Sequence, residues 1–202
     1  MKQYVMEFLG TFFVTIAISL IGNPIAIGLM LMAMIYVGGH ISGAHYNPAI
    51  SFACFVQNRL QLTEMGMYIA AQLLGATAAL CFFMMITNNS FILDMVPGSS
   101  VVGPMSIELL LVLVLCWVYL TMNVTNRYKD TAISGIVIGL TLMAIASIGS
   151  IFNPAVAAAS VLCNIIQEGS FNDFSSLIVY IVGPLVGGLG GSVIFNYFKS
   201  EL

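Results

Sequence analysis

Long apolar runs separated by short polar patches make up most of the chain. Crossing the hydrocarbon core of a bilayer takes roughly 20 apolar residues. Runs of that length predict helices over about 4–21, 24–42, 66–87, 105–123, 131–148 and 175–197. Two further apolar stretches, about 48–57 and 154–164, are too short to cross and too apolar to lie in water. The pattern therefore predicts an all-α membrane protein with six transmembrane helices and two re-entrant half-helices. Lys2 precedes the first run and no small-residue cleavage site follows it, so that run reads as a membrane span and not as a cleaved signal.

Each short stretch opens on the same triplet, Asn47-Pro48-Ala49 and Asn153-Pro154-Ala155. Asparagine is a favoured N-cap, because its side chain can satisfy an otherwise orphaned backbone N–H. Proline suits the first helical position, where its missing N–H costs nothing. The segments before the triplets, Gly43, Ala44, His45 and Tyr46 in one and Gly149, Ser150, Ile151 and Phe152 in the other, predict extended backbone. Their carbonyls would form a ladder of acceptors, which membrane depth tolerates only around a wet conduit or inside protein.

The triplets belong to a longer internal repeat. Glu7 near the start of the first span is echoed by Glu108 near the start of the fourth, and AAQLLGA (70–76) by VGPLVGG (182–188). Three spans per half is an odd number, so the second copy must be inverted within the single channel domain, 1–202. The halves predicted are 1–87 and 105–198. Inversion brings the two half-helix tips together at mid-membrane, where Asn47 and Asn153 would present amide donors. Two positive helix ends, each equivalent to roughly half an elementary charge, would disfavour cations and protons there.

Composition adds a solvent and an orientation. Of the 202 residues 60% are hydrophobic and 6% charged, against about 25% charged in a soluble domain, so the partner of the surface is the lipid bilayer. A net charge of −3 gives no reason to expect a nucleic-acid partner. All five basic residues, Lys2, Arg59, Arg127, Lys129 and Lys199, fall on one side of the predicted topology, which places both termini in the cytoplasm. The four cysteines lack metal-ligand spacing, and no nucleophile–base pair is visible, so neither a metal, a cofactor nor an enzyme is expected.

Along nearly its whole length the chain resembles the aquaporin / major intrinsic protein family. The matching pieces are EFLGT (7–11), GHISGAHYNPA (39–49), AAQLLGA (70–76), FNPA (152–155) and VYIVGPLVGG (179–188). The resemblance implies six tilted helices, two half-helices, one pore per subunit, a homotetramer, and passive passage of water or a small neutral solute without a cofactor. It also implies that Glu7, Glu108 and His45 are structural, fixing the irregular loops before the half-helices. Asn23-Pro24-Ile25 is a decoy, since no half-helix follows it.

The outer filter departs from the family pattern. Where most relatives carry an arginine after the second triplet this chain has Val156, and Ile27 replaces an aromatic. The fifth-span partner is Thr141 or Ala146, depending on how the count is made, and Ser150 takes the loop position. The expectation is a wide, apolar outer filter that favours glycerol-like solutes alongside water. Loss of the arginine leaves cation and proton exclusion to the half-helix dipoles and the two asparagines, so an ion- or proton-leaky channel is the alternative, with a non-conducting structural relative as a third. The short, bare loops suggest a bacterial-type inner (plasma) membrane.

Overall fold

The computed structural model describes residues 1–91, 101–125, 128, 133–149, 151–168 and 174–201. Its elements are α1 (Lys2–Ile16), α2 (Pro24–Ser42), α3 (Pro48–Val56), α4 (Leu62–Thr87), α5 (Val102–Val124), α6 (Ile133–Ala146), α7 (Pro154–Glu168) and α8 (Phe174–Phe198). Five of the predicted spans are helices of 19 to 26 residues, long and apolar enough to cross a membrane. The sixth, α6, has 14 residues among those described. Residues 131–132, where its predicted span begins, lie outside the described residues, as do Arg127 and Lys129.

Local chemistry accounts for the boundaries. Asn23 caps α2, accepting from the Ile25 N–H at 2.8 Å, with Pro24 at the first helical position. The Asn-Pro pair here starts a full-length span, as expected of a decoy. α4 begins four residues earlier than its apolar run, because Glu64 reaches back to the Gln61 N–H at 3.2 Å and extends the helix into polar sequence. α7 outlasts its predicted end at 164 by about one turn: its apolar run stops, but Gln167 continues as helix and accepts from Ser90 Oγ at 2.8 Å. α1 widens into a π-helical turn at Ala17–Ile21, closed by left-handed Gly22, whose N–H reaches the Ala17 carbonyl at 3.1 Å. Periodicity did not foretell that turn.

Packing pairs α1 with α4, α5 with α8 and α2 with α6. Where α2 crosses α6 the backbones nearly touch: a Cβ on Gly28 would lie 2.6 Å from the Gly139 carbonyl, and one on Gly139 2.8 Å from the Gly28 carbonyl. Only a residue without a side chain permits that approach, the usual device for helix contact in lipid, where burial supplies little drive. Tyr4 packs edge-on against Tyr68 at 5.8 Å, which sets the starts of α1 and α4 at one end of the molecule. Trp117 and Phe198 stack at 6.0 Å near the ends of α5 and α8. α3 and α7 lie inside this frame and touch each other. Tip to tip, their 9 and 15 residues make up one further crossing of about 36 Å.

Candidate conduit at the half-helix tips

Each tip is built from one asparagine used at both ends of its amide. Asn47 Oδ1 accepts from the Ala49 N–H at 2.9 Å, and Asn153 Oδ1 from the Ala155 N–H at 3.0 Å. Those bonds cap α3 and α7 and fix which end of each amide is nitrogen. The nitrogens then cross over. Asn47 Nδ2 donates to the Phe152 carbonyl at 2.7 Å, and Asn153 Nδ2 donates to the Tyr46 carbonyl at 2.9 Å. An amide nitrogen carries two hydrogens. Each asparagine thus ties its tip to the opposite loop with one hydrogen and has a second beside a shared cavity.

The loops that receive these bonds are strained. Ala44, Tyr46 and Phe152 have φ of 56°, 52° and 53°, and Gly43 and Gly149 have φ of 84° and 80°. A left-handed residue with a side chain costs roughly 1–2 kcal/mol, so something must hold it. Two buried glutamates do. Glu7 Oε1 accepts from the His45 N–H at 2.9 Å and Ser42 Oγ at 2.7 Å, while Oε2 accepts from the Tyr46 N–H at 2.7 Å and Gln72 Nε2 at 2.8 Å. Glu108 accepts from the Ile151 N–H at 2.9 Å and the Phe152 N–H at 3.0 Å. Tyr46 and Phe152 are therefore matched: each gives its N–H to a glutamate and its carbonyl to the opposite asparagine. The left-handed turn points the two groups in opposite directions.

His45 joins the first loop to α3 through Nδ1 and Ser51 Oγ, 3.0 Å apart, and Ser51 Oγ also accepts from Gln72 Nε2 at 2.9 Å. Ladder carbonyls have neighbours too. Besides the crossed bonds to Tyr46 and Phe152, the Gly43 carbonyl accepts from Tyr119 Oη at 2.6 Å. Ser150 lies outside the described residues.

A cavity of about 160 Å³ runs past both asparagines. Its wall includes Ile18, Gly22, Ile27, Ala146 and Gly149 as well as His45 and Leu115; Ile27 stands near the start of α2 and His45 just past its end, so the cavity extends along that helix. Of the predicted filter residues, Ile27 and Ala146 are in its wall. Two are not. Val156 is fully buried in a cluster with Ala76, Leu80, Ala155, Ala159 and Cys163, because its short branched side chain packs sideways from α7. Thr141 is half-buried and donates back to the Val137 carbonyl at 2.8 Å, so of the two fifth-span candidates Ala146 is the one that lines the cavity.

The wall also holds residues that sequence reasoning did not single out: Val14 of α1, Ile18 of the π-helical turn that follows it, Leu31 of α2, Ile50 of α3, Leu115 of α5 and Leu142 of α6. Val14/Ile18, Ile27/Leu31 and Leu142/Ala146 are all i, i+4 pairs, one face of a helix in each case. That spacing is present in the sequence, but on helices apolar all round it marks no particular face.

The profile of the family described as Major intrinsic protein matches residues 1–195. Among similar proteins, Aquaporin Z of Rhodopseudomonas palustris is 27% identical over 227 residues, covering 99% of this chain and 94% of that protein. Aquaporin-2 of Homo sapiens is 31% identical over 189 residues, covering 89% and 67%. Among solved structures, the aquaglyceroporin from Plasmodium falciparum superposes with a TM-score of 0.78 at 25% identity, covering 100% of this chain and 96% of that one.

Proposed function

Since the chain belongs to the major intrinsic protein family, and is a multi-pass membrane channel for water or small solutes, we propose that Asn47 and Asn153 are the selective centre of a conduit for water and glycerol-like neutral solutes. The observation that carries this reading is the crossed pair of asparagines. Each is anchored at the cap and at the opposite loop, and each has one N–H beside the cavity they share. A neutral oxygen acceptor gains two aligned donors at that point. A cation meets two helix N-termini instead, the wrong sign of field.

The apolar wall at Ile27 and Ala146 supports a wide outer end, and the likeness to an aquaglyceroporin supports solutes larger than water. Stopped-flow swelling of proteoliposomes against water and glycerol gradients tests this. The chain should pass both, and Ala146→Phe should cut glycerol flux while leaving water flux within about twofold. Equal losses of both would remove the filter from that level.

The lack of an arginine after Asn153-Pro154-Ala155, where Val156 stands, favours one second reading, a channel that leaks protons or cations. Planar-bilayer recording separates the two, since the leak predicts a steady current and the neutral conduit predicts silence with swelling intact. The matched bonds of Glu7 and Glu108 support repeat units 1–87 and 105–198. Residues Lys2, Arg59 and Lys199 support cytoplasmic termini, and the short, bare loops support a bacterial-type inner membrane. Assembly as a homotetramer follows the family resemblance, and native mass spectrometry from detergent would measure it.

A further inference from the structure

We infer that Tyr119 sets an inner constriction of the conduit, a ring that closes the path below His45 by holding the carbonyl of Gly43. The inference rests on the conduit reading and adds to it the residue that limits flux on the side opposite the filter. Leu115 lines the cavity, and Tyr119 follows it by one helical turn on the same face of α5. From there its hydroxyl donates to the Gly43 carbonyl at 2.6 Å. Gly43 opens the segment that leads to Asn47, so this carbonyl is the first acceptor a solute would meet from that end.

The ring is part of a collar. Tyr119 stands edge-on to His45, with centroids 5.5 Å apart and planes at 87°. Tyr68 covers His45 from another side at 5.0 Å and donates to the Ser42 carbonyl at 2.8 Å. Ala44, Tyr119 and Tyr68 are only 1%, 2% and 6% exposed, so the rings and the loop shield one another from water-sized contact. Past His45 the ladder is therefore covered, not open.

The contact is one that water can replace. A tyrosine hydroxyl and a carbonyl that separate beside a wet conduit each gain a water partner, so opening exchanges bonds instead of orphaning them. The closed collar then exceeds the open one by no more than a single net hydrogen bond plus ring packing. Water passes in the brief openings, while a glycerol-sized solute needs the ring displaced.

Swelling of proteoliposomes holding equal amounts of wild type, Tyr119→Phe and Tyr119→Ala tests this, with water and glycerol permeabilities measured on each. Tyr119→Phe keeps the ring and frees the Gly43 carbonyl, so water permeability should rise roughly two- to tenfold, the range one net hydrogen bond allows. Tyr119→Ala should raise it as well and should also increase the ratio of glycerol to water permeability. If wild type conducts and both variants, inserted and monodisperse, keep its rates and its ratio, the constriction is elsewhere and the conduit reading stands. If all three proteins match protein-free vesicles, the conduit reading falls and this inference with it. Should Tyr119→Ala fail to insert, Tyr119→Phe decides alone, because it preserves the packing.

Discussion

Asn47, Asn153, Glu7 and Glu108 divide one task, which is to hold a re-entrant backbone open inside a membrane. The asparagines cap and cross-tie, and the glutamates take the N–H groups that the left-handed turns expose. Glu108→Gln keeps the volume but turns one acceptor into a donor facing a buried N–H. It should destabilise the protein by about 1–3 kcal/mol, read as a lower unfolding midpoint in detergent. Asn153→Ala removes a cap worth about 1 kcal/mol and releases the Tyr46 carbonyl. Water permeability should fall roughly fivefold, the equivalent of one net hydrogen bond to the passing molecule. A mutant that lost stability yet kept full flux would show that Asn153 only builds the tip.

Helices set where those residues stand. α2 and α6 deliver Ile27, Leu31, Leu142 and Ala146 to one cavity because Gly28 and Gly139 let the two axes close up. Gly28→Val would drive its side chain into the Gly139 carbonyl. Overpacking of that kind costs about 1–3 kcal/mol, so the variant should unfold at lower temperature and carry less water per molecule inserted. The π-helical turn at Ala17–Ile21 acts at the same scale. It holds Ile18 and ends at Gly22, both of which line the cavity, and such turns are frequent at functional sites. α7 shows why length estimates from apolar runs stop early: a helix keeps its backbone hydrogen bonds after its apolar run ends.

At the scale of the molecule, two short helices complete a crossing that neither could make alone, and the remaining helices keep lipid from their broken backbone. The charge pattern predicts the orientation. Cysteines placed beside Lys2 and Lys199 should react with a membrane-impermeant maleimide only in inverted vesicles or after lysis, and labelling in intact cells would reverse the topology. Because the tips bring two helix N-termini together, ionic current through reconstituted protein should stay at the bilayer background while swelling proceeds.

Much of this was legible in the residues, and the triplets show where legibility stops. Asn23, Asn47 and Asn153 make the same bond, side-chain oxygen to the N–H two residues on, at 2.8, 2.9 and 3.0 Å. Sequence by itself determined those caps, the membrane spans, the paired glutamates and the doubled half-helix, since hydrogen bonds within a helix and apolar runs are local. It did not determine that Val156 turns away from the cavity and Ala146 faces it, or that Tyr119 reaches Gly43 across 76 residues. Those outcomes depend on how each helix is rotated about its axis. On helices apolar nearly all round, rotation is fixed by distant contacts such as Gly28 against Gly139 and Glu7 against the loop at His45, so only the tertiary structure decided them.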